Sequence, residues 1–358
     1  MYDYNGNLVI INLLITFISA FHYKSNYYRG SQNKGNSFFY LGIMLILYSV
    51  FAFAEADTYH YHGLYDEMRL TGYQLHVEPF YYRLALLIPN YYLWRLAIWG
   101  SSTLLLVLAF KNLNIDSNTV GFILPIFFYS QFSLTRGSLG FSLFIFAISI
   151  LYAGKRRFLK IVAVAFLICI SYYLHRTMII FIILFCVSFL FKVKKRNIYI
   201  SFLLFPFLYG LITIIVPYLT NLNIGNDDLM HHAEVYADMG KNIANWKGLI
   251  QIVLSWSGLI LLMFQLSKFY IIHTENKAIC ALFRYSYLLI YISALFLGQQ
   301  YTSFIYSRFI HAASFTLIFC AANYFYEVKH RTGLDKITLL LIIINTTYNL
   351  LYFLWKWR

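Results

Sequence analysis

Three arginines, Arg136, Arg176 and Arg308, each stand at or near the start of a long apolar run. Charge in or beside hydrocarbon is costly, so an arginine there reads first as a functional residue. Arg136 leads directly into Gly137, Ser138 and Gly140. Small residues leave backbone N–H groups approachable, and a helix start offers unpaired donors and the positive end of the dipole. A guanidinium fork beside such donors makes a cradle for phosphate or diphosphate. Arg176 occupies the tight connection His175-Arg176-Thr177 between two apolar runs, again at a helix start. Arg308 follows the polar stretch Gln299 to Ser303 and lies several residues into its run, roughly one turn below the surface. The competing reading of each is an interfacial arginine reaching lipid head groups. Three on one side of the membrane weigh against it.

A phosphate cradle becomes catalytic when a group beside it can move a proton. The stretch 55–90 carries Glu55, Asp57, His60, His62, Asp66, Glu67, Arg69, His76, Glu78 and Arg83. Within it, Glu78-Pro79 predicts a short interfacial helix over 79–88, stopped by Pro89. Proline is tolerated in the first helical turn, and a carboxylate there complements the dipole. Glu78 is therefore either a capping acid or a catalytic one. Asp57 lies where a span emerges and could serve as general base, arginine partner or cap. His60 and His62 alternate with tyrosines, but His-x-His without a matched cluster elsewhere falls short of a metal site. A second stretch, 219–247, holds Asp227, Asp228, His231, His232, Glu234 and Asp238. His231, Glu234 and Asp238 would share one helix face, which a solvated amphipathic helix explains as well as catalysis does. Arg95 and Arg284 fall inside apolar runs near their ends and are expected to snorkel.

The elements that must position these groups are membrane helices. Of the 358 residues, 60% are hydrophobic and 12% charged. Mostly apolar runs recur at a length that crosses hydrocarbon about 30 Å thick at about 1.5 Å per residue. Spans are expected near 6–21, 37–54, 91–110, 119–133, 138–153, 158–174, 177–191, 198–218, 248–267, 279–297, 304–325 and 337–354. The fold class is all-α: one polytopic membrane domain over 1–358, with about 10–12 transmembrane helices and two short outer loops, about 55–90 and 219–247. Only Asp3 precedes the first run, with no basic residue, so that run reads as a span and not as a cleavable leader.

Charge sets the orientation. Six alternating short loops hold 17 of the 28 Lys and Arg residues, including Lys155 to Lys160 and Lys192 to Arg196. The positive-inside rule puts these loops in the cytoplasm, with the termini, both long loops and the three arginines outside. The formal charge of +14 thus marks topology and not nucleic acid. Cys169, Cys186, Cys280 and Cys320 lie within expected spans without metal-ligand spacing, and read as small packing residues. Neither a nucleotide-binding loop nor a nucleophile elbow is present. No cofactor or metal is expected.

These residues resemble a family. The pattern comprises Asp57-x-x-x-Tyr61 after the second span, Glu78-Pro79 before the third, Arg-Gly-Ser-Leu-Gly at 136–140 and Leu-His-Arg-Thr at 174–177. It is similar to the Wzy-type polymerases of O-antigen and capsular polysaccharide, in particular the EpsG-like branch. The resemblance runs over most of residues 1–200. The second half matches mainly in hydropathy and in Arg308. The family pattern usually has Arg-Gln where this chain has Arg136-Gly137.

The resemblance implies a bacterial cytoplasmic-membrane enzyme with an outward active face. Such enzymes join oligosaccharide repeat units carried on undecaprenyl diphosphate, moving the growing chain from its lipid diphosphate to an incoming unit. Arg136, Arg176 and Arg308 would hold the donor diphosphate. Glu78 or Asp57, with His175 and His232 in reserve, would take the acceptor proton. Partners would be the lipid-linked oligosaccharide, membrane lipid, and the flippase and chain-length regulator of one pathway. The rival readings are an O-antigen ligase, which usually carries a larger outer loop, and a flippase or transporter of lipid-linked sugars, which should spread charge along a cavity. A membrane O-acyltransferase, with His175 or His311 on a path across the bilayer, is a third.

Overall fold

The computed structural model describes residues 56–72, 77–116, 119–120, 135–153, 157–191, 194–221, 262–272, 276–296 and 303–327. Among these residues every regular element is a helix. In chain order they are α1 (Ala56–Thr71), α2 (Pro79–Leu87), α3 (Tyr91–Arg95), α4 (Ser101–Asn112), α5 (Thr135–Tyr152), α6 (Arg157–Leu174), α7 (Met178–Ser188), α8 (Lys195–Asn221), α9 (Leu262–Ile272), α10 (Lys277–Leu295) and α11 (Ser303–Glu327). A single π turn, Leu96–Gly100, joins α3 to α4 without a break. Among the described residues, four helical stretches are long and apolar enough to cross a membrane: Tyr91–Asn112, Arg196–Ile214, Lys277–Leu295 and Arg308–Glu327. The expected spans near 6–21, 37–54 and 337–354 lie outside the described residues.

The chain divides into two compact units. The first comprises Met1–Ile183, Ala321–His330 and Leu350–Arg358; the second comprises Leu184–Cys320 and Arg331–Asn349.

In the first unit α5 is the central helix, packed between α4 and α6. Leu139, Phe141, Phe144, Ile145, Ala147 and Ile148 of α5 are all buried, the pattern of a helix enclosed on every side. Polar side chains tie it to its neighbours. Ser102 of α4 donates to the Ser138 carbonyl at 3.1 Å and its Oγ lies 2.7 Å from that of Ser142. Asn112 donates to Ser149 at 3.0 Å. Ser171 of α6 donates to the Gly140 carbonyl at 2.7 Å. Small polar residues of this kind let helices approach closely and hydrogen-bond across the contact. The pairings also give direction. Residue numbers rise together on α4 and α5, so those helices run parallel, whereas Ser171 near the end of α6 meets Gly140 near the start of α5. Phe158, Leu159, Ile161, Val162 and Phe166 of α6 point outward, an apolar face suited to lipid.

The first expected outer loop is largely helical. The helix predicted over 79–88 is present as α2, and α1 precedes it. Gly72 closes α1 with φ +69°, its N–H reaching the Met68 carbonyl at 3.0 Å, the left-handed cap that glycine adopts without a Cβ penalty. Tyr65 of α1 donates to the Ile88 carbonyl at 2.7 Å, and Arg69 donates to the Pro89 carbonyl at 2.9 Å. α1 thereby braces the α2–α3 connection. Tyr65→Phe is expected to lower stability by about 1 kcal/mol, since it deletes the donor and keeps the ring; thermal unfolding in detergent reads the difference.

In the second unit α10 is the common partner. Tyr291 donates to the Ser201 carbonyl of α8 at 2.8 Å, and the Tyr287 and Ser201 hydroxyls lie 2.5 Å apart. Phe283 packs on Tyr270 of α9, and the Ser286 hydroxyl meets that of Thr316 on α11 at 2.5 Å. Cys320 is buried here, as expected of a packing cysteine, but Cys169 and Cys186 are exposed on their helices. Arg284 folds back along α10, donating to the Cys280 carbonyl at 3.3 Å and lying 5.5 Å from the Phe189 ring.

Candidate functional site

The candidate site of the first unit forms where the start of α5 meets the end of α6. α6 ends at Leu174, and the next helix begins after three residues. The His175 N–H closes the last turn on the Ser171 carbonyl at 3.1 Å. The His175 carbonyl accepts from Met178 N–H at 2.9 Å and starts α7. This turn holds the imidazole against α5, where two glycines make room for it. A Cβ on Gly137 would lie 3.5 Å from both Cδ2 and Nε2 of His175. A Cβ on Gly140 would come within 3.2 Å of the Ser171 carbonyl oxygen and of Met178 Cγ, and 3.4 Å of His175 Cβ. The Arg-Gly-Ser-Leu-Gly and Leu-His-Arg-Thr segments are thus direct neighbours. Arg136 lies in the first turn of α5, and Arg176 is exposed in the turn between α6 and α7.

Glu78 completes the arrangement from the far side of the sequence. Its Oε1 lies 2.8 Å from His175 Nδ1. Glu78 is 8% exposed, and the His175 side chain is 20% exposed. Glu78 does occupy the N-cap of α2, but its side chain makes no capping hydrogen bond. Capping was one of two readings open from the sequence, and the carboxylate instead spans 97 residues to the imidazole. A carboxylate only accepts hydrogen bonds, so Nδ1 carries the hydrogen between them. In the neutral ring Nε2 is then the proton acceptor, and it borders Gly137.

The other expected site residues fall as follows. Asp57 lies in the first turn of α1. Arg308 is exposed on α11, in the second unit. His232 and the acidic residues around it lie outside the described residues. His62 pairs with Asp66 at 3.2 Å on the exposed face of α1 and sets its ring edge-on to Tyr91. Among the described residues no three His, Cys, Asp or Glu side chains cluster as metal ligands would.

Arg95 corrects an expectation. A snorkelling arginine reaches outward, yet Arg95 is 3% exposed, with its guanidinium 4.1 Å from the centre of the Trp99 ring. It immediately precedes the π turn, a distortion that is rare and often found at functional sites. Its neighbour Trp94 donates to the Tyr81 carbonyl of α2 at 3.2 Å. Because α4 and α5 run parallel with Ser102 level with Ser138, Arg95 lies toward the same end as the site, roughly 10 Å beyond Ser102 along the axis. The clue in the sequence was Trp99 four residues after the arginine, a spacing that stacks the two on one helix face.

No protein-family model, no curated protein and no solved structure matches this chain.

Proposed function

We propose that this chain is a membrane glycosyltransferase that polymerises oligosaccharide repeat units carried on undecaprenyl diphosphate, acting at the outer face of the bacterial cytoplasmic membrane. The observation that carries the reading is the close approach of His175 to Gly137 and Gly140, where an added Cβ would meet the His175 side chain. It joins the two arginine-bearing segments on which the family resemblance rests, each with its arginine at a helix start. Arg136 and Arg176 are the diphosphate ligands of the site, and Arg308 is assigned the same role from the resemblance. The guanidinium groups of Arg136 and Arg176 stabilise the negative charge that grows on the diphosphate as the glycosidic bond breaks. A proton-accepting group at the same end activates the acceptor hydroxyl. The donor brings its own leaving group, so the reaction calls for no nucleotide on the outer side. The flippase and chain-length regulator of the same pathway are the partners this role requires.

Lysine replacements test the clamp, because lysine keeps the charge and loses the planar two-pronged fork. Arg136→Lys and Arg176→Lys are each expected to lower polymer yield about 10²-fold or more. Lipid-linked single repeats should accumulate in their place. Full-length polymer from both lysine variants would sink the diphosphate-clamp reading. Deletion of the gene separates the rivals: a polymerase mutant leaves single repeats on the acceptor, a ligase mutant leaves unattached polymer, and a flippase mutant leaves neither.

A further inference from the structure

We infer that His175 Nε2 is the base that takes the proton from the acceptor hydroxyl, and that Glu78 is its positioning residue. The assignment rests on the glycosyl-transfer reading above and reverses the order of candidates read from the sequence, where Glu78 or Asp57 was favoured as the base and His175 stood in reserve. Three observations support the reversal. Glu78 is nearly sealed from solvent, and its Oε1 is committed to Nδ1 at 2.8 Å. The imidazole is the more exposed partner, and its Cδ2–Nε2 edge borders Gly137 of α5, which carries no side chain. That edge borders the first turn of α5, the turn to which Arg136 belongs.

The pair divides the work by chemistry. The carboxylate accepts from Nδ1–H, fixes the tautomer and holds the ring plane, leaving the Nε2 lone pair for the substrate. In the transfer step the acceptor oxygen forms a bond to the anomeric carbon of the donor sugar. The bond from that carbon to the diphosphate oxygen breaks, and its electron pair leaves with undecaprenyl diphosphate. The hydroxyl proton passes to Nε2, and from the imidazolium to water. Gly137 is the residue that keeps the approach to Nε2 open.

The test uses the whole protein in liposomes. Its probe is the lipid-linked single-repeat fraction extracted from a strain lacking this gene. His175→Asn is the informative substitution. The asparagine amide nitrogen stands near the position of Nδ1 and can still donate to Glu78, but nothing replaces Nε2. We expect His175→Asn to lower kcat about 10²–10⁴-fold, with the KM for lipid-linked donor little changed. Glu78→Gln, which keeps shape and loses the acceptor-only carboxylate, should fall in the same range, since a positioned base loses its tautomer with its partner. Added imidazole should restore part of the rate to His175→Ala and none to Glu78→Gln. That recovery is beyond a residue needed only for packing, and it also covers the case in which His175→Asn misfolds. If His175→Asn turns over like the wild type while Glu78→Gln is dead, Glu78 is the base and the assignment is wrong. A His175→Ala protein that imidazole leaves inactive also overturns it. Failure of the wild-type protein to extend the single-repeat fraction overturns the glycosyl-transfer reading itself, and the base assignment with it.

Discussion

Gly140→Leu is expected to destabilise the protein by about 3 kcal/mol, the upper part of the range for forcing extra carbons into a packed contact. A Cβ at this position already comes within 3.2 Å of the Ser171 carbonyl oxygen. That oxygen belongs to the backbone of α6 and also accepts from the His175 N–H, so it cannot swing aside as a side-chain end would. Met178 Cγ, equally near, can move. A leucine must therefore push α5 and α6 apart, breaking the Ser171 bond to the Gly140 carbonyl and carrying His175 away from Glu78. Loss of the proposed polymer synthesis should accompany the drop in thermal unfolding midpoint. Gly137→Ala is the control for stability alone, since Gly137 borders His175 Nε2. Its added methyl meets His175 atoms at ordinary contact distance, 3.5 Å, and stability should hold within about 0.5 kcal/mol, as for substitutions that touch no special feature. Equal midpoints for Gly140→Leu and wild type would show that this helix contact yields freely.

Trp99→Ala is the second large effect, about 3–5 kcal/mol from the emptied volume of a buried aromatic. Trp99 is 4% exposed and carries the Arg95 guanidinium on its face. Removal of the ring strips a buried, permanently charged group of an attraction worth about 2 kcal/mol when desolvated. Trp99→Phe keeps a ring face and should recover much of the loss. Its recovery separates the contribution of the aromatic face from that of the indole's extra size. Unfolding midpoints for the two variants in the same detergent give the comparison, and identical losses for Ala and Phe would argue against the stacked arrangement.

Much of the helical layout was legible before any coordinates. Apolar run length and the cost of unpaired backbone in hydrocarbon leave helices as the natural element. Expected spans at 138–153, 158–174, 279–297 and 304–325 correspond to α5, α6, α10 and α11 within a few residues. Periodicity could not reveal the π turn after Arg95, because one extra residue in a helical turn leaves composition unchanged. Nor could it reveal α1. The run from Ala56 to Thr71 is polar and aromatic, without an apolar face strong enough to announce a helix.

The site divides along the same line. Residue type and position on the chain were enough to single out Arg136, Arg176, Glu78 and His175, because charge at the edge of an apolar run is conspicuous and Pro79 marks a helix start. Whether Glu78 caps its own helix or serves a distant partner depends on where its carboxylate finds a donor, and that is a question of three-dimensional neighbours. The donor lies 97 residues away, brought in by helix packing that two glycines and Ser171 make close enough. Likewise, hydropathy treats an arginine near the end of an apolar run as one that reaches for water. For Arg95 only packing decided otherwise, by closing Trp99 and its surroundings over the charge. Local chemistry is written along the chain, but a pair is defined by distance, and distance between remote residues comes from the fold.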